Sequence, residues 1–189
     1  MVRKIVAFAG FEGTGKDFRC AQLVKQGNYK KMAFADALRK IAFGTLGYEY
    51  NYGMEHYEEL KANPIVNGLN FRQILERLGT EGIRHYDKDF WAKCLIKDID
   101  EVPEDTNICV SDLRFHNEYK YLKQYAEEHG YEFSFIFCDY HSERYKEDNP
   151  HASARLAGFL KDIGYEDGDI IKDEDMQHYI KALDEVNII

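Results

Sequence analysis

The sequence predicts an α/β fold in which a parallel β-sheet lies between layers of helices. Two features of the 189 residues lead to this prediction. Short apolar runs that suit buried strands alternate along the chain with longer stretches in which apolar residues recur at helical spacing. Strands and helices in this alternation form parallel sheets that are covered on both faces. The hydrophobic fraction of 44% is sufficient for one core, so we expect a single domain over residues 1–189.

The predicted elements follow one another in order. Strands are predicted at residues 4–9, 108–111 and 132–138, with weaker ones at 31–34 and 169–172. Helices are predicted at residues 17–25, 36–46, 71–78, 89–99, 118–129, 154–163 and 175–186. Two polar stretches, 47–70 and 139–151, are neither Ser/Gly-rich nor long enough to be linkers. We expect both to be excursions over the carboxyl edge of the sheet.

The charge and cysteine content exclude several classes of protein. There are 25 Lys and Arg against 34 Asp and Glu, and the formal net charge of −9 repels nucleic acid. No apolar run approaches the roughly 18 residues that span a membrane. The cysteines, which form no C-x-x-C pair, are Cys20, Cys94, Cys109 and Cys138. This spacing argues against a zinc site or a disulfide framework and favours a cytoplasmic protein with neither nucleic acid nor membrane as partner.

The strongest motif follows the first predicted strand. Residues 10–17 have the sequence GFEGTGKD, which matches the phosphate-binding P-loop pattern G-x-x-x-x-G-K. Glycines let the backbone curl so that its N–H groups point at phosphate oxygens, and the next helix adds the positive end of its dipole. Lys16 adds a full charge near the β- and γ-phosphates of ATP. The predicted nucleotide-binding residues are Gly10, Gly13, Thr14, Gly15, Lys16, Asp17 and Phe18.

Two carboxylates are the predicted ligands of Mg²⁺. Asp17 stands where a P-loop usually has Ser or Thr, and it binds the ion directly or through water. Alternatively, Asp17 caps the N-terminus of the helix. Asp112 follows the predicted strand 108–111, at the end of a strand where α/β proteins bind ligands. There it holds Mg²⁺ or orients the attacking phosphate oxygen; the alternative is a simple turn residue.

A kinase that acts on a monophosphate must hold a second phosphate group in line with the γ-phosphate. Arginine does this through two parallel hydrogen bonds. The candidates, each of which is alternatively a surface residue, are Arg39, Arg72, Arg84, Arg114, Arg144 and Arg155. Arg144 and Arg155 flank the second polar stretch, where a closing lid would bring positive charge to the transferred phosphoryl group.

Four stretches of the chain together resemble the phage deoxynucleoside monophosphate kinase family. Residues 13–17, GTGKD, are similar to its G-x-G-K-D element, and residues 34–39, FADALR, to F-A-D-x-L-K. Residues 71–81, FRQILERLGTE, are similar to R-x-x-L-Q-x-L-G-T-E, and residues 111–118, SDLRFHNE, to D-V-R-F-x-N-E. Within this pattern Asp17 is expected at its position.

The resemblance implies a P-loop kinase fold, ATP as donor, Mg²⁺, and a deoxynucleoside monophosphate as acceptor, in the host cytoplasm if the protein is phage-encoded. It implies an acceptor-binding insertion over about residues 37–100 and a lid over about 139–155. The implied acceptor contacts are Asp36, Arg39, Arg72, Trp91, Arg114 and Asn117, with Trp91 in a stacking or a packing role. The catalytic set is Lys16, Asp112, Arg114 and Arg144. The aromatic content is compatible with a homodimer.

Some positions depart from the family's pattern. Phe18 stands where a small hydroxylated residue is usual, so that only its backbone would contact phosphate. Residues 137–139 lack the family's basic residue, and its H-x-S-E-like element appears only as HASA at 151–154, so the catalytic lid arginine stays open. Two other functions also stay open. One is a P-loop kinase for another acceptor such as dephospho-coenzyme A, and the other is a non-catalytic nucleotide-binding regulator or ATPase module.

Overall fold

The computed structural model describes residues 2–140 and 154–185. The strands in these ranges are β1 (Lys4–Ala9), β2 (Tyr29–Met32), β3 (Pro64–Val66), β4 (Leu69–Asn70), β5 (Asn107–Val110) and β6 (Glu132–Phe137). The helices are α1 (Lys16–Gln26), α2 (Ala35–Thr45), α3 (Tyr50–Glu55), α4 (Tyr57–Ala62), α5 (Phe71–Glu76), α6 (Arg84–Tyr86), α7 (Phe90–Asp100), α8 (His116–His129), α9 (Arg155–Asp162) and α10 (Asp173–Glu185). A π-helix, Arg77–Ile83, connects α5 to α6.

Within the described ranges, four strands form a parallel sheet in the spatial order β2-β5-β1-β6. The central strand β1 is apolar and buried from Ile5 to Ala9, because it is paired on both sides and covered by helices. The predicted α/β fold with a parallel sheet flanked by helices is therefore confirmed. The sheet places the carboxyl ends of β1 and β5 side by side, with Ala7 opposite Val110.

Two predicted strands differ from the structure. The strand predicted at 31–34 is β2, two residues earlier, because this strand pairs only with β5 within the described ranges and tolerates exposed lysines. The strand predicted at 169–172 is wrong. Ile170 makes an isolated antiparallel bridge with Ile136, and the N–H of Ile171 donates to the carbonyl of Phe135 at 2.7 Å. Gly168, with a φ angle of 95°, lies in the turn before this stretch, and the chain makes only this one bridge before α10 begins at Asp173.

The described residues fall into two compact units. The first comprises residues 2–33, 98–140 and 154–185 and contains the parallel sheet. One of its core clusters consists of Val6, Phe8, Cys20, Cys109 and Cys138, so three of the cysteines are buried. The sheet unit also carries the glycine-rich loop after β1.

The second unit is Phe34–Lys97. Its core is built around Phe43 and Phe71, whose rings stack with centroids 4.3 Å apart. Helices α3 and α4 and the β3–β4 hairpin lie in residues 47–70, where the sequence predicts an excursion and no regular elements. These pieces contain six residues or fewer, which is too short for a hydrophobic period to be visible. None of the helices in the described parts of the chain is both long and apolar enough to cross a membrane.

Candidate active site

The loop after β1 has the conformation that its glycines permit. Gly10, Gly13 and Gly15 have φ angles of 146°, 74° and 87°, which side chains with a Cβ rarely adopt. Gly10 is the tightest position. A Cβ there would lie 2.1 Å from the carbonyl oxygen of Cys138 and 2.7 Å from Oγ1 of Thr14. The backbone of Cys138, directly after β6, therefore packs closely against the start of the loop.

Lys16 is enclosed by this loop and is only 6% exposed. Its Nζ donates to the carbonyl of Gly10 at 2.7 Å and to the carbonyl of Phe11. Burial, and then the positive charge of Arg114, lower the pKa of Lys16 from 10.5 to about 8. The negative charges of Asp17 and Asp112 act in the opposite direction. The P-loop lysine and three other predicted site residues therefore interact electrostatically in one unit.

The first turn of α1 follows the loop without a side-chain cap. The N-cap residue is Gly15, so Asp17 is not the capping residue, although its charge suits the first turn of the helix. The carboxylate of Asp17 instead forms an ion pair with Nζ of Lys31 on β2. Thr14 is fully buried and donates to the carbonyl of Phe11 at 2.8 Å. Phe18 is 64% exposed.

The residues after β5 form the second part of the site. Asp112, Arg114 and Asn117 are half-buried, with Asn117 in the first turn of α8. The buried Glu118, 2% exposed, accepts hydrogen bonds through Oε2 from the backbone N–H groups of Arg114 at 2.8 Å and Phe115 at 3.1 Å. Glu118 therefore fixes the backbone that carries Arg114.

Glu118 is a positioning residue that the sequence analysis did not assign. It occupies the third position of α8, where a glutamate accepts from the preceding backbone N–H groups, and this spacing is a recognisable signal. A second unassigned contact joins α1 to the loop after α9. Arg19 pairs with Asp167 at 2.5 Å, and Asp167 also accepts from the N–H of Asp139 at 2.9 Å. These partners are 148 and 28 residues apart, so no local pattern predicts them.

The predicted acceptor residues of the second unit make contacts with one another or with neighbours in the same unit. Nη1 of Arg39 pairs with Oδ1 of Asp36 at 2.8 Å. Nε of Arg72 pairs with Glu76 at 3.2 Å along α5. Asp36 therefore holds the guanidinium group of Arg39.

Trp91 lies in the interior of the second unit. It is 3% exposed, and its Nε1–H donates to the carbonyl of Gly79 in the π-helix at 3.1 Å. This position favours the packing role over the stacking role. Of the lid residues, Arg144 lies outside the described residues, whereas Arg155 is exposed at the start of α9.

Two carboxylates of the sheet unit are candidate oxygen ligands for a magnesium ion. Asp17 is on α1 and Asp112 follows β5, and both act on Lys16. In residues 2–140 and 154–185, no group of three or more His, Cys, Asp or Glu side chains is arranged to hold a metal ion by itself. Mg²⁺ in kinases is bound by one or two carboxylates together with water and substrate phosphates, so this donor set fits the ion.

Comparisons with known proteins assign the chain to no family. No protein-family model matches the chain, and no curated protein matches it significantly. Among solved structures, the chain resembles the Cys556Ala mutant of the Mycobacterium tuberculosis APS kinase CysC with a TM-score of 0.40. The two are 12% identical over 86% of this chain and 96% of that chain. At this identity and TM-score the resemblance supports no conclusion about what the chain does.

Proposed function

We propose that this protein is a P-loop kinase that transfers the γ-phosphoryl group of ATP to a deoxynucleoside monophosphate. The observation that supports the proposal most strongly is the buried ammonium group of Lys16. It lies inside a loop of glycines at the carboxyl end of β1 and at the start of α1. A cation and a helix N-terminus at this position form a site for the phosphates of a nucleotide.

In this proposal Lys16 exchanges the carbonyls of Gly10 and Phe11 for phosphate oxygens when ATP binds. Burial weakens the hydration of its ammonium group, and the phosphates replace that hydration. Asp17 and Asp112 hold Mg²⁺, which when bound would neutralise charge on the β- and γ-phosphates. Arg114, whose charge already acts on Lys16, contributes to the acceptor phosphate and to the developing charge.

The choice of acceptor rests on the resemblance of residues 71–81 and 111–118 to the phage kinase family. Arg72, Asp36 and Arg39 in the second unit bind the deoxynucleotide, with Asp36 holding Arg39 in position. Asn117 contributes from α8. The lid arginines Arg144 and Arg155 neutralise the transferred phosphoryl group. Catalysis then consists mainly of positioning and electrostatic stabilisation, as in other phosphoryl transfers.

A coupled assay of ADP release tests this proposal. Each deoxynucleoside and ribonucleoside monophosphate, and dephospho-coenzyme A, is offered in turn. ADP release that depends on a deoxynucleoside monophosphate supports the proposal. ADP release with dephospho-coenzyme A alone would show a kinase that acts on that acceptor and would contradict the proposed acceptor. Hydrolysis of ATP that no acceptor stimulates contradicts kinase activity. Lys16→Ala should lower turnover by orders of magnitude, whereas Lys30→Ala, an exposed change on β2, should leave it intact.

A further inference from the structure

The ion pair between Lys31 and Asp17 lies at the position where this P-loop differs from the usual pattern. Asp17 brings a negative charge to the place where a neutral hydroxyl is common. Nζ of Lys31 contacts Oδ1 of Asp17 from the neighbouring strand β2. The side chains of Lys31 and Asp17 are 41% and 77% exposed, so both are accessible to solvent and to ions.

The geometry of β2 makes this contact specific to one of two adjacent lysines. Successive side chains on a strand point to opposite faces of the sheet, so Lys30 points away from the face that carries Lys31. Lys31 is opposite Cys109 in β5 and lies on the side of β2 that faces α1. Lys30 is therefore a matched control with the same charge and nearly the same position in the chain.

The electrostatic consequence concerns ATP. An unneutralised carboxylate in the first turn of α1 would repel the triphosphate. A positively charged group paired with the Asp17 carboxylate removes that repulsion. The same group also competes with a divalent cation for the carboxylate oxygen. Lys31 supplies such a charge before any cation binds.

We propose that Lys31 is a positioning residue that occupies the Asp17 carboxylate in the metal-free protein and yields it to the magnesium ion that accompanies ATP. This inference rests on the proposed function, because it requires ATP on the P-loop. Lys31 thereby strengthens the binding of metal-free ATP. It also reduces the increase in ATP affinity that Mg²⁺ produces. An exposed ion pair changes affinities by only roughly two- to five-fold, so the effect is modest and measurable.

The test uses the ratio between the Kd of ATP in EDTA and its Kd in excess Mg²⁺, both measured by calorimetry. Lys31→Met should raise this ratio roughly two- to five-fold, mainly by weakening metal-free binding. Lys30→Met should leave the ratio unchanged. Lys31→Arg keeps the positive charge and should have the wild-type ratio. A ratio in Lys31→Met equal to that of the wild type overturns the proposal.

The Asp17→Asn background distinguishes an effect through Asp17 from direct attraction of ATP. If Lys31 acts through Asp17, Lys31→Met has little effect on the ratio in that background. An equal change in both backgrounds shows that Lys31 acts on the phosphates directly and overturns the proposal. If the wild-type protein binds no ATP in either buffer, the proposed function itself fails, and the inference fails with it. The three substituted side chains are all exposed, so the variants should fold, which thermal denaturation verifies.

Discussion

Replacing Gly10 with alanine should lower the stability of the sheet unit and weaken ATP binding at the proposed nucleotide site. Two costs add at this position. The φ angle of 146° is strained for any residue with a Cβ, which costs about 1–3 kcal/mol. The new Cβ would also lie 2.1 Å from the carbonyl oxygen of Cys138, a backbone atom that cannot rotate away. Relief requires a shift of the loop or of the end of β6, so we expect a total loss of about 3–5 kcal/mol.

Gly27 provides the matched control. Its φ angle of 94° imposes a similar strain on alanine, but a Cβ there would meet no atom within 4 Å. Gly27→Ala should therefore cost about 1–3 kcal/mol and leave ATP binding intact. Urea denaturation measures both variants, and calorimetry measures the Kd of ATP. Equal losses of stability in the two variants, or undiminished ATP binding by Gly10→Ala, would refute the steric argument.

Three further predictions concern the buried groups near the loop and in the second unit. The pKa of Lys16 is about 8 in the folded protein and 10.5 in the unfolded chain. Between these pH values Lys16 is mostly deprotonated in the folded protein and mostly protonated in the unfolded chain, so stability rises with pH. The free energy of unfolding of the metal-free protein, relative to that of Lys16→Met, should therefore rise by up to about 3 kcal/mol over this range. Urea denaturation that shows a constant difference between the two proteins would contradict this. Glu118→Ala removes the acceptor of two backbone N–H groups and should lower the stability by about 2–5 kcal/mol. Glu118→Gln keeps an oxygen acceptor and should retain most of the stability. Equal losses in the two variants would be inconsistent with these hydrogen bonds. Trp91→Phe should cost about 1–3 kcal/mol, because it puts a smaller ring in a buried place and removes one of the two donors to the carbonyl of Gly79, the other being the N–H of Arg84. An unchanged melting curve would argue against that bond.

The parts of the molecule that the sequence predicts well are those in which neighbouring residues determine the structure. Strand β1 has the predicted bounds, since its apolar run is continuous and ends at Gly10. The helix after the loop begins one residue earlier than predicted, at Lys16. Helix α5 begins at the predicted residue, where Asn70 and Gln73 form a reciprocal cap. Local patterns of this kind require no knowledge of the rest of the fold.

Contacts between distant segments are the parts that the sequence does not predict. The pairing of Lys31 with Asp17 depends on strand β2 lying beside α1, and Arg19 with Asp167 depends on the return of the chain after α9. The pKa of Lys16 is likewise set by residues that come together only in the folded unit. The segment 47–70 contains short helices and a hairpin whose stability comes from packing on Phe43 and Phe71 rather than from their own periodicity.

Transfer of a labelled γ-phosphate is the direct test of whether the protein phosphorylates deoxynucleoside monophosphates. ATP carrying radioactive phosphorus at the γ position is incubated with the protein and each deoxynucleoside monophosphate, and the products are separated by thin-layer chromatography. With the wild-type protein, label should move from ATP to a deoxynucleoside diphosphate. Lys16→Ala should abolish this transfer, and Lys30→Ala should not. Label that appears only as inorganic phosphate, or transfer that persists undiminished in Lys16→Ala, would contradict it.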